Sequence, residues 1–367
     1  GGRLLPAPGG AGDLWSTYFS GWHAAGVGST TSAAPSVALL ALFATVLLGK
    51  AWLAVDVIVL GAVPLAALSA FTSLRVRTTA VRIRIWVSVV YALLPAATGA
   101  IASGRLDVIV AAIVLPRVAR SIAIAWQPAA VGSVRGRTVR AGLWLAVATA
   151  FAPLLWVIAA LVCGGVLIAG TRRAEVAAPA IAAGYHLRVA AGILVVPLVV
   201  LMPWTWHVVA HPSLLFAGSG LPEFYAARTA PSGILLALLH AGGPAQPPFW
   251  IGIPIVGAIV LGLQRDSRVT AARVGAAVFV LGVVVAILMT RGASVTTGFP
   301  STRHWPGLPL LVAGAGALLT AVVAAIGARP ALRDQSFGWR QPLAVAVVGL
   351  ALASTATLVG AWLVRGV

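Results

Sequence analysis

From about residue 36 onward the chain alternates long apolar runs with short loops that carry arginine. The runs are about 17–25 residues long, the length a helix needs to cross a bilayer. Alternating strands of about 10 residues, which a barrel would need, are absent. In lipid every backbone polar group must be satisfied internally, so the pattern predicts an all-α fold. We expect a polytopic transmembrane helix bundle of about 9–10 membrane segments.

Taken in order, Ser36–Leu48 is too short to span and suits a re-entrant or interfacial helix. Trp52–Leu74 crosses, and Ile85–Ala102 returns to a tight turn at Gly104-Arg105-Leu106-Asp107. Val108–Trp126 crosses back. Ala141–Ala169 is longer than one span needs and carries Pro153 near its middle, where proline breaks or kinks a helix. It reads as one span or as a hairpin of Ala141–Phe151 and Pro153–Ala169. Leu187–Trp206 exits to a non-spanning segment, residues 207–249. The spans Trp250–Leu263, Val274–Thr290, Trp305–Ile326 and Pro342–Val364 follow. No repeat of 20–50 residues stands out.

Composition agrees with lipid as the solvent. The 367 residues are 60% hydrophobic and 9% charged, with a mean hydropathy of +1.02. Soluble domains carry about 25% charged residues. The net charge of +18 would point to nucleic acid in a soluble protein. Here the arginines follow the positive-inside pattern instead, and no nucleic-acid partner is expected. Arg75, Arg77, Arg82 and Arg84 share one loop; Arg117, Arg120, Arg135, Arg137 and Arg140 flank the next. The hairpin reading of 141–169 keeps Arg172, Arg173 and Arg188 on that same, cytoplasmic side. Residues 1–35 and 207–249 then face outward, provided Ser36–Leu48 does not cross. The expected localisation is the cell membrane, as a multi-pass protein. The single cysteine, Cys163, lies in an apolar run and forms no internal disulfide. The start at Gly1-Gly2 without Met reads as a piece of a longer protein.

Only seven residues are acidic, so candidate chemistry is confined. The domain 1–35 is a Gly/Pro/Ser/Thr-rich outer-face loop with interfacial aromatics; 36–367 is the helical domain. In the first, Asp13 is followed by Trp15, Tyr18, Trp22 and His23. A carboxylate beside an apolar surface can act as a base, here toward a sugar hydroxyl, with aromatic faces packing on a sugar or lipid tail. The plainer alternative is an aromatic belt, with Asp13 capping a short helix from Leu14. Arg105 with Asp107 is either a local ion pair or a contact for lipid phosphate, onto which arginine forks. Arg303 and His304, next to Trp305, form a second candidate phosphate contact, and Glu223 lies in the outer loop with His240. His207 and His211 have the spacing of some metal sites, but Pro212 follows and no third ligand is fixed by spacing. No metal site and no cofactor is therefore assigned; a divalent metal has no support in the sequence. P-loop, GxSxG, CxxC and Rossmann signatures are absent. Gly164-Gly165 and Gly314-Ala315-Gly316 read as close-packing sites between helices.

The order of these features is an outer Asp-bearing loop, the half-helix PSVALLALFATVLLG, a full helix ending in arginines, and a GRLD turn. It resembles the membrane glycosyltransferases of the GT-C type. The segments GDLWSTYFSGWHAAGVGS, AWLAVDVIVLGAVPLAALSA, YALLPAATGAIASGRLD and SFGWRQPLAVAV are similar to the membrane region of large actinobacterial family-2 glycosyltransferases. The resemblance implies a GT-C-like bundle in cell-envelope polysaccharide (cell wall) biogenesis, using a polyprenyl-phosphate-linked sugar. Asp13 would match the acid of the first outer loop, although many GT-C enzymes have paired acids there and Asp13 stands alone. Its partners would be the lipid bilayer, the polyprenyl phosphate sugar and a fused or associated family-2 glycosyltransferase domain. Two rivals remain: a non-catalytic membrane platform for such a domain, and a polytopic transporter or lipid flippase. For the last, Pro153 gives one broken helix, with no matching segment in a second half.

Overall fold

A computed structural model describes residues 9–21, 32–128, 132–171, 179–216, 231–242, 248–263, 269–291, 304–326, 349–350, 352–360 and 364. Regular structure among them is helical, with one isolated bridge between Gly10 and Lys50. The chain falls into two compact units, one of Val63–Ser103 with Glu223–Val367, the other of Gly2–Ala62 with Gly104–Pro222.

The second unit holds α1 (Ala11–Phe19), α2 (Pro35–Val46), α3 (Ala51–Leu60), α7 (Leu106–Ala125), α8 (Val134–Phe151), α9 (Leu154–Thr171), α10 (Pro179–Val200) and α11 (Trp204–Ala210). The α7 and α8 helices are antiparallel. Arg137 near the start of α8 donates to the Ile124 and Gln127 carbonyls at the end of α7, while Trp144 lies level with Arg117. The α8 and α10 helices run the same way, because a Cβ on Gly192 would meet Thr138 and one on Gly142 would meet Val196. Two parallel neighbours joined through α9 require α9 to run back. The seven residues between α9 and α10 could not retrace two helices of about 27 Å each. The break at Ala152–Pro153 is thus a true hairpin turn, as the charge pattern favoured. Each arm has 18 residues. The first begins at Val134, earlier than expected, so the basic segment is itself helical.

The first unit holds α4 (Ala62–Ser73), α5 (Val81–Ala92), α6 (Pro95–Ala102), α12 (Gly233–Ala237), α13 (Gly252–Leu263), α14 (Val269–Arg291) and α15 (Gly307–Ala325). Gly275 of α14 lies against Gly316 of α15, and Gly282 against Pro309 and Ala313, so this pair is antiparallel and in backbone contact. Small residues permit that approach. Leu94 fills the space over Gly314. Gly314 and Gly316 are thus close-packing sites. Gly164 and Gly165 are not: among the described residues a Cβ on either meets no neighbour.

Three helices are by themselves long and apolar enough to cross a membrane: Leu106–Ala125, Thr270–Arg291 and Gly307–Ala325. Among the described residues the number reaches 6 if each bent pair counts as one span. The expectation of 9–10 segments is higher for local reasons. Trp52–Leu74 is not one helix but divides at Gly61, and Ile85–Ala102 divides before Pro95, which lacks the N–H to continue a helix. Leu187–Trp206 divides at Leu201–Pro203, with a bend of 102° into α11. The span Pro342–Val364 lies largely outside the described residues. Outward faces are apolar: Val280, Val284 and Leu288, one turn apart on α14, are 56%, 45% and 64% exposed. Water would penalise such a stripe, and lipid would not.

Candidate functional site

Within the lead-in, Ala11–Phe19 is a helix. In α1 the Asp13 carboxylate folds back on the helix start and accepts the Gly10 N–H at 2.7 Å. This satisfies one of the orphan donors of the first turn, and the acid sits where the helix dipole favours it. Gly9, at φ +80°, is required there, since a Cβ would collide with that carboxylate. The helix begins at Ala11, three residues before the sequence suggested. Its start is tied to the α2–α3 turn by the Ala11 N–H on the Gly49 carbonyl at 2.8 Å. That turn is tight, with Leu48 and Gly49 both at positive φ, so α2 stops after 12 residues and does not continue as a span.

On the other face of α1, Trp15 stacks on Phe19 at 5.8 Å and meets Tyr18 edge-on at 6.4 Å. The Trp15 indole donates to the Thr45 hydroxyl at 3.2 Å. Phe19, Leu48 and Trp52 are exposed, with the Lys50 ammonium 5.8 Å from the Trp52 ring. Amphipathic aromatics beside a cation and bare leucine are what a helix lying at a lipid–water boundary presents. Asp13 itself is solvent-exposed, and Asp56 is exposed on α3. Trp22 and His23 lie outside the described residues.

The Arg105–Asp107 turn is of a different kind. Arg105 is the N-cap residue of α7 and Asp107 lies in its first turn. Asp107 is only 8% exposed, and its carboxyl group lies beside the backbone amides of the first turn. Burial pushes the Arg105 guanidinium below its ordinary pKa, and the Asp107 carboxylate works against that shift. Arginine stays charged at any ordinary pH. A guanidinium and a buried carboxyl group thus sit at one end of an apolar helix of 20 residues, about 30 Å long.

The opposite end of α7 carries features that sequence reasoning treated only as topology signals. Arg137 is buried and its Nη1 donates to the Gln127 carbonyl at 2.6 Å and the Ile124 carbonyl at 3.3 Å. Arg84, in the first turn of α5, does the same for α4: Nε and Nη2 donate to the Phe71 carbonyl at 3.1 and 2.9 Å, and the guanidinium lies 3.9 Å from the Phe71 ring. Each reaches back 13 residues to the carbonyl end of the preceding helix, where a cation complements the dipole. The 13-residue spacing from an apolar helix end was the available signal.

His207 and His211 lie against each other with their rings tilted by 40° and their centroids 4.6 Å apart, and His211 Nδ1 is 3.3 Å from the His207 carbonyl. Among the described residues no group of three His, Cys, Asp or Glu could hold a metal. His304 is half-buried before α15, and the Trp305 indole donates to the Gly242 carbonyl at 3.0 Å. Glu223 and Arg303 lie outside the described residues. No protein-family model, curated protein or solved structure matches the chain.

Proposed function

We propose that the chain is the membrane domain of a glycosyltransferase in envelope polysaccharide assembly and binds a polyprenyl-phosphate-linked sugar at the Arg105–Asp107 turn. The observation that carries this reading is Asp107, a carboxylate buried beside a half-buried Arg105 at the mouth of an apolar helix. Ionisable groups at membrane depth are costly and are held for a use. Asp107 attracts the guanidinium electrostatically, and the guanidinium forks onto a phosphate whose isoprenoid tail stays in lipid. The resemblance of the surrounding segments supports the same reading. Arg105→Gln is expected to weaken binding of a polyprenyl-phosphate analogue roughly 10- to 100-fold. Asp107→Asn should act in the same direction. Undiminished binding in both variants sinks the reading.

The platform alternative is favoured by Asp13, whose carboxylate is occupied as a helix cap. Asp13→Asn separates the two, because asparagine keeps an oxygen to accept the Gly10 N–H but cannot take a proton as a base. If Asp13 is the base, transfer from a lipid-linked donor is abolished while the far-ultraviolet dichroism and melting of the protein are unchanged. Full transfer in Asp13→Asn assigns the chemistry to a separate domain.

A further inference from the structure

We propose that the groove between α7 and α8, at the end opposite the Arg105–Asp107 turn, binds the headgroup of an anionic phospholipid through Arg117 and Arg140. This stands apart from glycosyl transfer and needs only that the α7–α8 pair sit in a bilayer. The helices run antiparallel, with Arg137 beside Ile124 and Gln127 and with the Arg117 guanidinium 5.4 Å from the Trp144 ring. Helical spacing puts Arg117 and Arg120 on one face of α7, and Arg140 and Trp144 on one face of α8. Between those two contacts the antiparallel register brings Arg140 level with the Arg120 turn. Arg117, Arg120 and Arg140 are all exposed, and so are the apolar Val139 and Leu143 around them. The groove is thus cationic at its centre and greasy at its rim.

Three features select a lipid over other anions. The first is depth. Trp126 and Tyr185 gather at the end of α7, where the Tyr185 hydroxyl donates to the Ala125 carbonyl at 2.8 Å and His186 stacks on Trp126 at 5.5 Å. Amphipathic aromatics mark the headgroup level. Arg120 and Arg117 stand six and nine residues before Trp126, about 9 and 13 Å deeper along the helix. From that depth an arginine side chain snorkels back toward the headgroup layer, where an anionic group stabilises it. The second is charge. The one carboxylate in the sequence of this helix pair is Asp107, ten residues from Arg117 at the far end of α7. The third is shape. Arg117 is held over Trp144, which leaves the edge of its guanidinium for phosphate oxygens while the rim accepts acyl chains.

The test uses the full chain in a neutral detergent, titrated with phosphatidylglycerol or phosphatidylcholine and read by native mass spectrometry and thermal midpoint. Phosphatidylglycerol is expected to bind and raise the midpoint, in a salt-sensitive way, and phosphatidylcholine to do neither. Each arginine near a surface of anionic lipid contributes about fivefold, so Arg117→Gln with Arg140→Gln should weaken binding roughly 25-fold. The Arg117→Lys, Arg140→Lys pair keeps charge but not the fork and should fall between. Equal binding of the two lipids by the unaltered protein overturns the proposal whether or not the variants fold. So does a glutamine pair that folds and binds as before. Protection by a soluble polyglutamate peptide equal to that by phosphatidylglycerol would instead assign the groove to an acidic polypeptide, and overturns it too.

Discussion

The α14–α15 pair and the α7–α8 pair are both antiparallel and both apolar, yet they are held by opposite means. In α14–α15 the backbones touch through Gly275, Gly282 and Gly316, and a long polar link, the Thr320 hydroxyl on the Ala272 carbonyl at 3.4 Å, adds to that packing. In α7–α8 the fastening is polar: the Arg137 guanidinium binds two carbonyls and Arg117 lies over Trp144. In lipid there is little hydrophobic gain from bringing two apolar helices together, so pairing needs close packing or hydrogen bonds. One pair uses the first and leaves its outer face plain. The other uses the second, and carries exposed guanidinia on its outer face.

The largest expected effect breaks the seam. A Cβ on Gly282 would lie 2.5 Å from the Pro309 carbonyl oxygen and 2.8 Å from the Ala313 amide nitrogen, both backbone atoms that cannot step aside. Gly282→Ala should destabilise by about 3 kcal/mol, seen as a large fall in thermal midpoint in detergent. The matching control is Gly257→Ala on the exposed face of α13, where a Cβ meets nothing. There alanine should be neutral or stabilise by roughly 0.5–1 kcal/mol. Equal losses at both positions would mean that glycine matters for helix flexibility and not for the seam.

Next comes the polar fastening. Arg137→Leu leaves the Gln127 and Ile124 carbonyls without their donor and should cost roughly 2 kcal/mol. The Arg137 Nε is buried with no partner among the described residues, so the native contact is itself incomplete. That keeps the expected loss below the one at Gly282. Arg135→Leu, two residues away and exposed, should melt as the unaltered protein does. A loss at Arg135 as large as at Arg137 would show that net charge, and not the clasp, sets stability.

These particulars explain what was legible in the sequence. Apolar run length gave the helices and the charge rule gave the hairpin at Pro153, because both depend on the solvent and not on partners. The breaks at Gly61 and before Pro95 were missed, since a continuous apolar run looks alike whether one helix or two fills it. Gly164-Gly165 and Gly314-Ala315-Gly316 are indistinguishable as strings, and only the register of a neighbouring helix separates them. The Arg105–Asp107 turn was visible because charges are rare in this chain. Arg84 and Arg137 were read as loop charges, although both are buried and reach back 13 residues.

The smallest effect asks whether polar fastening also serves the unit that contains the glycine seam. There the loop before α13 is held by the backbone N–H of His240 on the Leu235 carbonyl at 2.8 Å and by the Trp305 indole on the Gly242 carbonyl. Burial lowers the His240 pKa from its ordinary 6.5, so the folded loop favours the neutral ring. The unfolded chain takes up a proton at higher pH than the folded one. The His240 contribution is therefore complete above about pH 6.5 and is lost as pH falls below that value toward the folded pKa. The thermal midpoint should drop modestly between about pH 7 and about pH 5.5, and His240→Gln should flatten that slope. An unchanged slope in His240→Gln would move the pH dependence to other histidines, and would leave the close glycine packing of α14–α15 as the main support of this unit.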